Sequence, residues 1–355
     1  MINKKAIKNF IIIVLFIILC GLVYLIFKNI GKSSTSSVDK DNIREKNKIK
    51  IGFSLGTLKE ERWIRDRDIL MAKAKEMGAE LIVQNANNDD QDQLKQVKYL
   101  LDQKIDVLIF VPNDNIKSAN AVEMAKEQGV PVISYDRLVL NAPIDLYISF
   151  DNFKIGELMA NSLLKSEKPK NLLIINGAEN DNNTKMIKEG YDKVLEPFLS
   201  SGEINIVSEE WSANWLKETA FNIVDTKLQK GINIDGVIAG NDSLAQGVIE
   251  ALSEHRLTNK VKVVGQDADL RACQRIVEGS QYATIYKPIE KLAESAIEMA
   301  LKLGKKESIN LDESIFNGKY TVPYYILTPI AVDKSNMEDT IIRDGFHLRE
   351  EVYKE

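Results

Sequence analysis

Side chains able to hold a small polar ligand recur along this chain in short clusters. Lys59, Arg62 and Trp63 stand together, as do Asp136 and Arg137, and Asp181, Asn182 and Asn183. Trp211 and Trp215 lie in one short stretch, and Asn241-Asp242, Gln266-Asp267 and Lys287 complete the set. An indole face packs on apolar C–H surfaces, Asp and Asn hold adjacent hydroxyls, and an Arg fork donates to oxygens while offsetting a buried carboxylate. That mixture suits a small polyol such as a sugar ring, which has apolar faces and a rim of groups that both donate and accept. Taken singly, each cluster has a structural reading. Asp136-Arg137 makes a local ion pair, Asn241-Asp242 caps a helix, and Lys59 and Glu61 are solvated charges. Of the two neighbouring tryptophans, Trp215 is the expected ligand residue and Trp211 the expected core residue. The joint pattern is what points to a site.

Catalytic motifs are missing. Gly52-Phe53-Ser54-Leu55-Gly56 is not a G-x-G-x-x-G fingerprint, and there is neither a phosphate-loop lysine motif nor a G-x-S-x-G elbow. His255 and His347 are far apart, with no Cys or carboxylate pattern around them, so no metal is expected. The two cysteines, Cys20 and Cys273, fall in an apolar run and in the globular part, which argues against an intrachain disulfide. No cofactor and no enzymatic reaction are expected.

The clusters follow short apolar runs, and those runs set the architecture. Lys48–Leu55 reads as a strand, 62–77 as a helix ended by Gly78, and Leu81–Val83 as the next strand. A polar helix over 89–103 leads to the strand Val107–Val111. A helix over 116–128 leads through Gly129-Val130-Pro131 to the strand Val132–Tyr135. Ile206-Val207, Asn171–Ile175, 235–239, 262–264 and Ile285-Tyr286 are later strands of the same kind. Strands buried on both faces with helical crossovers mean parallel, doubly wound α/β sheets, and the length calls for two similar lobes. Ligands collect beyond the carboxyl ends of such strands, which is where the clusters stand.

The ends of the chain differ in charge. Residues 1–47 hold 8 Lys/Arg against 3 Asp/Glu, while the remaining 308 hold 39 against 49. A body that acidic is a poor grip for nucleic acid, which is bound through cationic contacts to phosphate. From Phe10 to Phe27 the chain reads FIIIVLFIILCGLVYLIF, without a charge. As a helix it reaches about 27 Å, enough to cross a bilayer core. A cleaved signal peptide and a lipoprotein signal at Cys20 are alternatives. The apolar core is long for the first, however, and Leu19 replaces the small residue the second wants before its cysteine. The expected order is a cytoplasmic stretch over 1–9, a transmembrane anchor over 10–27 and a polar, Ser-rich tether over 28–47. The sugar-binding body would then stand outside the cytoplasmic membrane.

The segment Glu61-Arg62-Trp63-Ile64-Arg65-Asp66-Arg67-Asp68 resembles the first binding loop of bacterial D-xylose-binding proteins, members of the type I periplasmic binding proteins. The resemblance continues through Ser134-Tyr135-Asp136-Arg137, Tyr147 to Asn152, Asp181-Asn182-Asn183 and Gly265 to Leu270. It resumes at Tyr286-Lys287-Pro288-Ile289, Leu327-Thr328-Pro329-Ile330 and Asp344-Gly345-Phe346-His347. It implies a three-crossover hinge near 150–152, 286–288 and 322–327. Lobe 1 would be 48–150 plus 288–322, and lobe 2 would be 151–287 plus 323–355. By the same resemblance Arg62, Asp136, Arg137, Asn183, Asn241 and Asp267 hold sugar hydroxyls and the ring oxygen. Trp63 and Trp215 pack on the sugar's faces, with Lys59, Asp181 and Lys287 assisting. In the family's first loop acidic residues often stand where this chain has Gly56-Thr57. With the apolar N-terminal run, the arrangement resembles membrane-anchored relatives that signal to a two-component histidine kinase. The alternative is the binding component of a D-xylose ABC transporter, which partners a permease.

Overall fold

The computed structural model describes residues 48–165 and 167–354, together with residues 14, 17–19, 21–24 and 28. Its contacts divide the chain into two units, Met1–Lys48 and Ile49–Glu355. In the first, the described residues before Lys48 are helical and exposed. Among the described residues no helix is long and apolar enough to cross a membrane. The span expected over 10–27 lies largely outside them, as do the expected stretches 1–9 and 28–47 apart from Lys28.

The second unit begins with β1 (Lys50–Leu55), α1 (Glu61–Glu76), β2 (Glu80–Asn85), α2 (Asp90–Asp102) and β3 (Val107–Val111). It continues through α3 (Ala119–Glu127), β4 (Val132–Tyr135), β5 (Leu146–Phe150), α4 (Asn152–Leu164) and β6 (Asn171–Asn176). Next come α5 (Asn182–Ser200), β7 (Asn205–Trp211), α6 (Lys217–Gln229), β8 (Gly236–Ala239), α7 (Asp242–Glu254) and β9 (Lys262–Gln266). The remainder is α8 (Leu270–Glu278), β10 (Ala283–Tyr286), α9 (Ile289–Gly304), β11 (Ser314–Phe316), β12 (Thr321–Leu327), β13 (Ile330–Val332) and α10 (Arg349–Tyr353).

Two sheets result. One has the order β11-β12-β5-β4-β3-β1-β2 and the other β13-β10-β9-β8-β6-β7. The central strands are buried along their whole length, Val107–Val111 among them. That is the signature of sheets covered by helices on both faces. Neither sheet is wholly parallel, as the sequence suggested they would be. β11 pairs with β12, and β13 with β10, in antiparallel fashion. The direction of β13 follows from the chain path. β10 runs out of its sheet toward the crossing, whereas β13 enters that sheet directly from β12 with no helix to reverse it.

The chain passes between the sheets three times, at 150–152, at 286–289 and at 328–329. The last crossing differs from the expected 322–327. Those residues lie in β12, which pairs with β5 from Tyr324↔Tyr147 to Leu327↔Phe150. Residues 323–327 therefore belong to the first lobe, and the change of sheet falls at Thr328-Pro329. Helix α3 also starts later than expected, because Asp114 accepts bonds from the Ile116 and Lys117 amides and holds a turn there first. In the second lobe α4 and α5 lie almost backbone to backbone. A Cβ on Gly156 would meet the Ile187 carbonyl oxygen at 1.9 Å, and one on Gly190 the Phe153 oxygen at 2.0 Å. Both helices begin at the cleft, so this contact fixes where Asn152 and Asn183 stand. Gly156→Ala is expected to destabilise the fold by about 2 kcal/mol or more through overpacking, visible as a lower urea midpoint; an unchanged midpoint would show that the helices can part freely.

Candidate functional site

The carboxyl ends of the strands from both lobes open on one cavity enclosing about 370 Å³ of space, part of it open to solvent. The first lobe lines it with Glu60, Arg62 and Trp63 at the start of α1 and with Asp136 and Arg137 after β4. The second contributes Asn152, Asp181, Asn183, Ile187, Trp215, Asn241, Gln266 and Asp267, and Lys287 stands at the second crossing. Of the residues expected from the resemblance to contact the sugar, all but Lys59 line this cavity. Lys59 is exposed, with its amide turned to Thr57 Oγ1, and Glu60 takes the place expected for it. Trp211 ends β7 and borders a separate surface depression with Glu179 and Asn214.

Burial makes the charges interdependent. Arg62 is 5% exposed and its guanidinium touches three carboxylates, Asp66 at 3.1 Å, Asp136 at 2.9 Å and Asp267 at 3.8 Å. Desolvation opposes its charge, but Asp136, Asp66 and Asp267 overcome that and hold it protonated beyond the ordinary guanidinium range. Burial likewise works against the Asp136 carboxylate, yet Arg62, Lys287 and Arg137 keep it below the usual value. Asp66 lies deeper, and there burial wins and raises its pKa, against Arg62 and the Tyr135 hydroxyl that donates to it. Arg137 reaches across the cleft to Asp181 at 2.7 Å, and Lys287 Nζ lies 2.5 Å from Asp267. Asn183 Nδ2 donates to the Asp136 carbonyl at 3.0 Å, while its Oδ1 accepts from Asn152 Nδ2 at 3.1 Å. The two lobes are thus tied together at the cavity wall.

Several of these residues also terminate helices. Asp181 accepts from the Asn183 amide, and Asn241 Oδ1 accepts from the Leu244 amide at 2.9 Å. The capping and lining readings of Asn241 therefore hold together. Asp242 beside it is a structural acid. It is buried and accepts from Thr284 Oγ1 at 2.8 Å and Gln281 Nε2 at 2.7 Å. At the strand ends the backbone takes left-handed conformations that L residues rarely adopt, with φ of 61° at Asp136, 102° at Asp267 and 54° at Trp215. Strain of this sort gathers where a surrounding structure aims side chains at a site.

Trp215 shows how tightly the aiming is done. Its ring lies against Gly177, where a Cβ would come within 2.1 Å of Cη2. Any other residue at 177 would displace the indole. Its Nε1 is buried without a hydrogen-bond partner, and so are Glu60 Oε2 and Gln266 Oε1. Burial raises the Glu60 pKa against the pull of Arg137. Trp63 is covered differently, with the Arg62 and Arg137 guanidinium carbons 4.4 Å and 5.2 Å from its ring centroid. Cation–π contact thus occupies a face of this indole.

Glu60, Asn152 and Ile187 line the cavity without having been singled out as site residues, and Gln266, one of the strand-end polar groups, joins them without an expected sugar contact. Gln266 stands beside Asp267 at a strand end, and Ile187 is one helical turn beyond Asn183, so both had a positional signal. Glu60 had none, since alternation around Lys59-Glu60-Glu61 does not say which charge turns inward.

A family model described as a periplasmic binding protein domain matches residues 51–308. The chain belongs to the periplasmic binding proteins. Its two-lobed α/β fold is of their first type, and it is a binding component rather than an enzyme. It is 46% identical to the D-xylose-binding periplasmic protein of Haemophilus influenzae over 306 residues, 86% of this chain and 92% of that one. It is 42% identical to the protein of the same name from Escherichia coli, over 86% of this chain and 92% of the relative. Among solved structures, a carbohydrate transporter solute binding protein from Chloroflexus aurantiacus in complex with D-glucose superposes with a TM-score of 0.81 at 26% identity. That match covers 86% of this chain and 98% of the other. In this periplasmic binding protein the Arg137–Asp181 pair spans the cleft and is nearly shielded from water. Asp181→Ala should lower stability by about 3 kcal/mol by leaving Arg137 buried and uncompensated. Chemical denaturation of the variant checks this, and a loss below about 1 kcal/mol would mean that the pair is solvated.

Proposed function

We propose that this chain is an extracytoplasmic receptor for D-xylose or a related pentose, and that its lobes close on the sugar. The observation that carries this reading is the trio of buried, unpartnered atoms in residues lining the cavity. Glu60 Oε2 and Gln266 Oε1 accept, Trp215 Nε1 donates, and all three lack partners within the protein. Leaving such groups unsatisfied is costly, and a polyol that donates and accepts around its rim relieves the cost. The relatives named as D-xylose-binding support the pentose, and the neighbour solved with D-glucose supports a monosaccharide more broadly. Arg62, Asp136, Arg137, Asn183, Asn241, Asp267 and Lys287 then hold hydroxyls, with Trp215 packing on a sugar face. Because those groups come from both lobes, only the closed form engages all of them, and the sugar's differential affinity drives closure.

Closure has two uses, each with its own support. Delivery to an ABC permease is supported by the likeness of the fold to a Clostridium phytofermentans ABC transporter solute binding protein with bound β-D-glucose. Signalling to a membrane histidine kinase is supported by the uncharged run over 10–27 and the Ser-rich stretch after it, which would hold the body beside one partner as a single-pass anchor and tether. Delivery has the broader support; the anchor is what favours signalling.

Adding D-xylose to fragment 48–355 is expected to change its tryptophan fluorescence, and silence toward every pentose would remove the sugar assignment. Trp215→Ala and Asp267→Ala should each weaken binding at least about tenfold, by removing a stacking face or leaving hydroxyls unpaired. Unchanged affinity in both variants would refute the site. Alkaline carbonate extraction should leave the full-length chain in the membrane pellet, and its release would rule out the anchor. Co-purification with permease subunits or with a histidine kinase then separates the two uses.

A further inference from the structure

We propose that Arg65 and His347 form a closure latch, a pair of positioning residues that joins the lobes outside the cavity and holds the Asp267–Ala268 turn in place. Arg65 lies on α1 in the first lobe, one turn after Arg62. Its Nη1 donates to the Phe346 carbonyl at 2.6 Å, and its Nη2 lies 2.9 Å from His347 Nδ1. The guanidinium also sits 4.7 Å over the Phe346 ring. His347 belongs to the second lobe, and its Nε2 lies 2.7 Å from the Ala268 carbonyl oxygen. The partners dictate the tautomer. A carbonyl can only accept and a guanidinium can only donate, so Nε2 carries the proton and Nδ1 accepts. A neutral imidazole therefore relays one lobe to a single backbone atom of the other.

That atom is in an unusual place. Asp267 and Ala268 have φ of 102° and 56°, consecutive left-handed conformations in residues other than glycine. The surroundings must impose such a turn. Asp267 N bonds to the Ile285 oxygen, and Ala268 N to Thr284 Oγ1, so β10 holds one side. His347 holds the carbonyl on the other side. Asp267 is the cavity carboxylate that meets both Arg62 and Lys287. The latch therefore joins two residues that are one turn and one peptide away from the cavity wall, without lining it.

Acid should release it. Burial, with the Arg65 charge, lowers the His347 pKa, while the Ala268 carbonyl, Glu61 on α1 and Glu351 on α10 pull the other way. Arg65 is itself paired with Glu61 at 3.4 Å. When the lobes part, His347 leaves Arg65 and its pKa moves back toward the ordinary value of about 6.5. The open form then binds the proton more readily. Closure is favoured above that value and weakens as pH falls through it. Protonation places a second N–H on Nδ1, facing a donor.

Two measurements on the full-length chain test the latch, and they fail separately from the sugar reading, on which only the D-xylose probe rests. In hydrogen–deuterium exchange, His347→Leu should speed exchange in peptides covering 266–270 without sugar, and Arg65→Ala should do so with D-xylose bound, when the lobes are closed. His347→Gln, which can both donate and accept, should not. In stopped-flow tryptophan fluorescence with D-xylose, Arg65→Ala should raise the dissociation rate about tenfold with little change in association. From pH 7.5 to pH 5.5 the wild-type affinity should fall more than that of His347→Gln. Burial raises the pKa of Asp269 beside this turn, and pushes that of Asp242, which holds the Asp269 amide and Thr284 Oγ1, up to about 7, so the difference between the two profiles is the readout. Unchanged exchange at 266–270 in sugar-free His347→Leu overturns the latch, as does unchanged exchange in D-xylose-bound Arg65→Ala, and so do parallel pH profiles. A wild-type chain that ignores D-xylose overturns the sugar reading and leaves the sugar-free exchange test of the latch standing.

Discussion

A buried guanidinium shared among carboxylates from both lobes is the constraint on which the rest of this structure depends. Arg62 cannot keep its charge away from water without Asp66, Asp136 and Asp267, and it is in turn the main attraction that keeps the buried Asp136 carboxylate ionised. Two of the acids come from its own lobe and one from the opposite lobe. Parting the lobes therefore takes the Asp267 counter-charge away from Arg62. The Arg137–Asp181 pair repeats this arrangement a short way along the wall. Charge satisfaction and lobe closure become one event, which is what a receptor needs if ligand binding is to move whole lobes.

The topology supplies these charges where they are useful. Parallel strands send their carboxyl ends to one side of each sheet, and three crossings turn those sides toward each other. Each strand end then contributes one or two side chains. The left-handed turns at Asp136 and Asp267 aim those side chains into the cavity rather than along the strand direction. Gly177 performs the complementary task by leaving room for the Trp215 ring. The antiparallel β13 is a by-product of the third crossing, since a chain that enters a sheet from the hinge must run against one that leaves it.

Much of this was legible in the residues themselves. Short apolar runs separated by helical spacing marked most of the strands, though not Leu146–Phe150 or the last three, and Val107–Val111 and Val132–Tyr135 have the bounds read from sequence. The lining side chains were recognisable because they combine indole, amide and charge immediately after those runs. Where the reading failed, the reason is local. Lys59 and Glu60 are adjacent charges in a loop, and nothing in their order says which one turns inward. The third crossing was set too early because Thr321–Leu327 has the apolar alternation of an ordinary strand, and its partner, β5, lies far away in the chain.

By itself, the amino-acid sequence determined the class of sheet, the strand ends from which side chains would converge, and the kinds of group that would meet there. Those depend on periodicity and composition, which are local properties of the chain. Only the tertiary structure decided which charge pairs with which, that Trp63 lies under guanidinium groups, and that His347 reaches the Ala268 carbonyl from a segment 79 residues away. Such pairings arise when burial removes water as an alternative partner, and the chain must fold before that alternative is gone.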